Sequence, residues 1–218
     1  GTPEMWQLPL DGGTWHKVAG PPLSNGLSCL DVLVFDRANA RLLVLSGGWP
    51  RGDVYALSLQ GTPTWTQLPT DQAWYPYGGS AIYDAHAHRF LAASGDDGWM
   101  WSFDVDDPAP AWTHLKLTGA GPDNTWSSSA IYDAGQHRLV LFGGTAGDVP
   151  DAITNRTWTA SLDDAPAWRR LGVLDEATPG LGGAFLAYAT DAHEILRLGG
   201  NDGGEAFVYR PDHADWQS

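Results

Sequence analysis

The 218-residue chain has one cysteine, only twelve basic side chains and no long apolar run. The lone thiol, Cys29, excludes an internal disulfide, a CxxC redox pair and a thiolate zinc site supplied by this chain alone. Its expected role is that of a small buried or half-buried side chain. Twelve Lys and Arg stand against 26 acids, a formal charge of −14, and form no cluster able to neutralise phosphates. Nucleic acid and anionic membrane surfaces are therefore not expected partners. No apolar segment approaches the roughly 18 residues of a membrane-spanning helix, and Gly1-Thr2-Pro3-Glu4 does not read as a signal peptide. Glutamate is also scarce: the acids are 22 Asp and 4 Glu. Asp side chains bond to nearby backbone N–H groups and favour turns over helices. With 27 Gly and 15 Pro, this composition predicts many short strands joined by tight turns, within the size of a single all-β domain spanning 1–218.

What the chain does have is an internal repeat of about 50 residues. Ser80-Ala81-Ile82-Tyr83-Asp84 returns as Ser129-Ala130-Ile131-Tyr132-Asp133, with a looser copy at Val32-Leu33-Val34-Phe35-Asp36. Arg41-Leu42-Leu43-Val44-Leu45-Ser46-Gly47-Gly48 matches Arg138-Leu139-Val140-Leu141-Phe142-Gly143-Gly144 and, more distantly, Ile195-Leu196-Arg197-Leu198-Gly199-Gly200. An aromatic follows each time, at Tyr55, Trp101, Trp158 and Phe207, and then a Trp at Trp65, Trp112, Trp168 and Trp216. Period-two alternation makes each segment a strand, giving four strands (a to d) per repeat. A four-stranded sheet cannot bury both faces alone, and stacking such sheets face to face solves the problem as a β-propeller.

The apolar run, Gly-Gly, aromatic and later Trp together resemble the kelch repeat over nearly the whole chain. The resemblance implies an all-β, kelch-like β-propeller of four near-complete four-stranded blades, at about 28–68, 78–117, 127–171 and 183–218. A two-stranded partial blade at 1–18 would supply only c and d strands, through Met5–Leu10 and Thr14–Val18. A six- or seven-bladed propeller would need about 300 to 350 residues. A fragment of a longer chain, a small ring, and completion by a second chain or missing segment are the three ways of accounting for the shortfall.

Subtracting what the repeat requires leaves the candidate site. Trp49, Trp74, Trp99 and Trp126 are surplus to the c- and d-strand positions, and all fall in b-to-c or d-to-a loops, which emerge at one end of each blade, the top. Tyr77, Asp53, Asp96, Asp97, Asp148 and Asp202 belong to the same loops. Aromatic platforms beside carboxylates suit a sugar, whose apolar face stacks while its hydroxyls donate to acids; the alternative is that these Trp pack between blades and these Asp cap turns. Ser94–Trp101 fits the Asp-box pattern SxDxGxxW but reads as turn-forming sequence. His86, His88, His137 and His193 lie in a-to-b turns at the bottom, where solvated side chains are expected. The pairs Asp106-Asp107 and Asp163-Asp164 sit in c-to-d turns.

Galactose oxidase, a copper enzyme, has a kelch-like propeller. The resemblance would require a Cys–Tyr crosslink and converging His ligands; Cys29 and Tyr77 fall on the top side and the turn histidines on the other. No copper site or other cofactor is expected. The leading expectation is a non-catalytic binding or scaffold propeller that takes a glycan or protein through its top loops. A carbohydrate-active enzyme using top-face Asp residues is the second reading, and a repeat fragment without its own ligand site the third. The composition resembles that of bacterial secreted or cell-surface kelch proteins, so an extracellular location is expected.

Overall fold

The computed structural model describes residues 4–20, 22, 32–46, 53–70, 80–93, 99–122, 126, 128–144, 154–171, 184–199, 206–210 and 215–217. Every regular element among them is a strand, and the fold is an all-β propeller. A two-stranded sheet pairs β1 (Met5–Gln7) with β2 (His16–Val18). Blade one contains β3 (Val32–Asp36), β4 (Arg41–Ser46), β5 (Asp53–Ser58) and β6 (Thr64–Leu68). Blade two contains β7 (Ser80–Asp84), β8 (Arg89–Ala93), β9 (Met100–Asp104) and β10 (Trp112–Leu115). Blade three follows with β11 (Ser128–Asp133), β12 (Arg138–Gly143), β13 (Thr157–Ser161) and β14 (Trp168–Arg170). Blade four has β15 (Phe185–Ala189), β16 (Glu194–Leu198), β17 (Ala206–Arg210) and β18 (Asp215–Gln217). Each blade is an antiparallel meander in chain order. The chain divides into two compact units, one of residues 1–75 with 107–111 and one of 76–106 with 112–218.

In the second unit, alternation along β12 sends its side chains into two different cores. Leu139 and Leu141 pack with Ile82, Leu91, Ala93 and Met100 of blade two. Val140 and Phe142 pack with Ile195, Phe207 and Tyr209 of blade four. A strand covered on both faces has no solvent side, which is why the b strand reads as a continuous apolar run. Polar pins join the same blades. Ser80 Oγ donates to the Ser128 carbonyl at 2.6 Å, and Ser129, at the equivalent position of the next blade, donates to the Ala184 carbonyl.

The a-to-b turn is locked the same way in blades one to three. Asp36, Asp84 and Asp133 are almost wholly buried at the ends of their a strands. One carboxylate oxygen accepts from turn backbone N–H groups: Asn39 for Asp36, His86 and Ala87 for Asp84, Gly135 and Gln136 for Asp133. The other accepts Nε of the Arg five residues on, at 2.7 Å from Arg41, 3.0 Å from Arg89 and 2.9 Å from Arg138. The residue before each Arg takes positive φ, with Ala40 at 46°, His88 at 51° and His137 at 43°. Its carbonyl accepts the N–H that follows the c strand, from Leu59, Val105 and Leu162 in turn. Blade four departs from this pattern. Ala189 replaces the Asp and Glu194 the Arg, and Arg210 reaches across from β17 to Glu194 at 2.7 Å.

The turn histidines are not simply solvated, contrary to the expectation from sequence. His88 Nδ1 lies 2.7 Å from Asp106 Oδ2, and His137 Nδ1 lies 2.9 Å from Asp163 Oδ1. Both acids belong to the c-to-d turns, so each pair ties the two turns of its blade together. His137 Nε2 also lies 3.4 Å from the buried Asp84 of the neighbouring blade.

Candidate ligand-binding site

The top-end candidates begin with Trp99, which immediately precedes β9. Met100 points into the core shared by blades two and three, so alternation sends Trp99 and Trp101 to the opposite side of the strand. The register places His114 of β10 directly across from Trp101. Its imidazole meets Trp101 at 3.6 Å between centroids and 89° between planes, and Trp99 at 4.2 Å and 67°. The imidazole packs edge-on in close contact with both indoles, which restrains the orientation of Trp99. Trp99 remains 52% exposed, and His114 is exposed beside it. Chemically, the cluster offers an indole surface for stacking and an imidazole that can donate or accept a hydrogen bond.

Asp53 opens β5 and is half-buried, where Thr70 Oγ1 donates to its carboxylate at 3.5 Å. Burial raises the pKa of Tyr55, and the Asp53 carboxylate raises it further. This Asp therefore already serves its own blade. Trp126 is a half-buried turn residue just before β11. Trp49, Trp74, Tyr77, Asp96, Asp97, Asp148 and Asp202 lie outside the described residues, as does Cys29. Sequence reasoning missed His114. Its pairing with Trp101 depends on the length of the hairpin between β9 and β10, and no repeated motif marks it.

At the other end of the blades, the buried acids link neighbours. The Tyr132 hydroxyl bonds to Asp84, and burial together with that carboxylate pushes its pKa up to about 12. Tyr188 stands in the same relation to Asp133, with its pKa likewise raised, first by burial and then by the carboxylate. Burial alone would raise Asp84; the Ala87 N–H, Arg89 and His137 together outweigh it and hold the carboxyl below its ordinary range. These residues are occupied in maintaining the fold. Among the described residues, no group of three or more His, Cys, Asp or Glu converges to hold a metal ion.

No protein-family model matches the chain, and a search of curated sequences returns no match. Solved structures share the fold at low identity. A fungal alcohol oxidase of the AA5 family, in complex with copper, aligns at a TM-score of 0.69 and 16% identity over 98% of this chain and 48% of that chain. YjhT aligns at 0.62 and 13% over 86% of this chain and 63% of that one. A chain of a nidogen/laminin complex aligns at 0.59 and 14% over 91% of this chain and 65% of its own. This chain thus spans 48% to 65% of the length of these structures. Fold likeness at this level does not carry function with it, and the described residues do not assemble a ligand set for copper.

Proposed function

We propose that the chain is a non-catalytic, kelch-type binding propeller whose top-end loops recognise a glycan, with Trp99 as the stacking platform. The observation that carries this reading is an exposed indole whose orientation is restrained by His114, itself braced on Trp101. A sugar presents an apolar C–H face suited to such a surface, while its hydroxyls can bond to the adjacent imidazole and to loop carboxylates. A fixed platform also loses little side-chain entropy on binding.

Screening the chain on a glycan array and then titrating the best hit tests the proposal. Trp99→Ala should reduce affinity by at least tenfold, about 1.4 kcal/mol, and His114→Ala should cause a smaller loss. Binding that is unchanged in both variants, or absent for every glycan, refutes it. Turnover of a bound sugar, abolished by changing a single top-end Asp while binding survives, would favour an enzyme instead.

A further inference from the structure

Among the described residues, His137 is the turn histidine that stands between two carboxylates. Its Nδ1 lies 2.9 Å from Oδ1 of Asp163, in the c-to-d turn of its own blade, and its Nε2 lies 3.4 Å from Oδ1 of Asp84, at the end of β7 in blade two. The side chain is 22% exposed, and Nε2 itself is buried without a hydrogen-bond partner. Asp84 is fully buried and accepts the His86 and Ala87 N–H groups on that same oxygen.

A neutral imidazole carries one N–H. With the proton on Nδ1, the Nε2 lone pair faces the Asp84 carboxylate; with it on Nε2, the Nδ1 lone pair faces Asp163. Either tautomer leaves one acceptor against another, which is costly where water has little access. An imidazolium donates from both nitrogens and satisfies both acids. The neighbouring groups supply no substitute cation. Arg89 is engaged on Oδ2 of Asp84, and Arg138 on Asp133. His86, 4.6 Å away between ring centroids, is exposed to solvent. Tyr132 packs on the ring at 6.1 Å while its hydroxyl bonds to Asp84. Asp164, exposed beside Asp163, adds further negative charge to the turn.

We propose that His137 is a proton-operated latch on the seam between blades two and three: charged, it clamps Asp84 of blade two to Asp163 of blade three, and neutral, it releases one of them. The clamp contributes in mildly acidic solution and is lost as pH rises across the range of about 5 to 8 in which imidazoles discharge. That window is separate from the one set by the Asp84 carboxylate, whose lowered pKa confines its loss to pH below about 3.9.

The equivalent turns show what the latch requires. His88 holds the same position in blade two and meets the carboxylate of Asp106, in a pair whose side chains are 36% and 44% exposed. Solvent screening leaves such a pair little weight. His193 holds the position in blade four, where Nδ1 faces the neutral Tyr188 hydroxyl at 3.2 Å. All three histidines take positive φ, so the backbone role is common to the three turns, whereas the double contact belongs to His137.

Urea unfolding of the 218-residue chain at about pH 5.5 and about pH 8 tests the latch in the native sequence, His137→Gln, Asp163→Asn and His88→Gln. Raising the pH should increase the native unfolding equilibrium constant about tenfold more than that of His137→Gln, the effect of one charge-assisted hydrogen bond. Comparing two pH values within each variant cancels any pH-independent cost of changing a side chain at positive φ. Asp163 is 71% exposed, so Asp163→Asn should fold. An Asn amide can turn either its oxygen or its NH₂ to the ring, so a neutral imidazole then satisfies both neighbours and most of the pH response should disappear. His88→Gln should keep the native response to within about twofold. The proposal is overturned if the native chain and His137→Gln respond to pH equally, if Asp163→Asn keeps the full response, or if His88→Gln removes as much of it as His137→Gln.

Discussion

Replacing Asp84 with Asn tests whether the buried carboxylate, rather than the turn sequence around it, holds the a-to-b corner of blade two. Asp84 is fully buried and accepts the N–H groups of His86 and Ala87 at 3.1 and 3.2 Å on one oxygen. Its other oxygen accepts Arg89 Nε at 3.0 Å, and the Tyr132 hydroxyl bonds to the same carboxylate. An Asn side chain can still cap the turn through its carbonyl oxygen. Its NH₂, however, would face the Arg89 N–H, placing donor against donor and leaving the guanidinium without its counter-charge. Removing one member of a buried pair costs about 3 to 5 kcal/mol; because the Arg89 side chain is 19% exposed, the lower end, about 3 kcal/mol, is expected here. With a urea m-value of about 2 to 3 kcal/mol/M, the unfolding midpoint should fall by about 1 to 1.5 M. Asp104→Asn is the control, since Asp104 is exposed and caps the Asp106 N–H at 2.9 Å, a bond that Asn can also accept. Its cost should stay within about 0.5 kcal/mol. Equal and small losses in both variants would refute the argument.

Three further predictions concern the same turns and the residues packed on them. Asp36 and Asp84 have lowered folded-state pKa values, so their contribution to stability is present above the ordinary carboxylate value of about 3.9 and lost as pH falls through the folded values. Acid unfolding of the native chain should therefore be steeper than that of Asp84→Asn. For Tyr132, raised to about 12, the contribution is complete below about 10 and lost as pH rises from there through the folded value, which tyrosinate absorbance checks during alkaline unfolding. At the positive-φ position, Ala40→Gly should stabilise by about 0.5 to 1 kcal/mol by relieving the left-handed backbone. His137→Gly should give no such gain in thermal melting, because it also removes the contacts to Asp163 and Asp84. Equal gains at both sites would show that the histidine contacts carry no stability.

Much of the blade could be read directly from the chain. The recurrence of Ser-Ala-Ile-Tyr-Asp, the apolar run after Arg, and the later Trp all lie within strands of a few residues, where period-two alternation and turn chemistry are local. The a-to-b turns could be placed for the same reason. The binding candidates were less legible. Trp99 stood out as surplus to the repeat, but nothing in the sequence linked it to His114, because that contact depends on the register across the β9–β10 hairpin.

The sequence by itself determined the repeat and the four strands of each blade, since both follow from local periodicity. Only the tertiary structure decided what the repeated polar residues do. Ser80, Asp84 and Tyr132 look like ordinary strand and turn residues in isolation, and the Ser80–Ser128 and Tyr132–Asp84 hydrogen bonds exist only once one blade is stacked against the next. The same stacking revealed Leu33 and Phe35 as uncovered, because a strand's pattern records which faces are apolar but not whether another sheet lies against them.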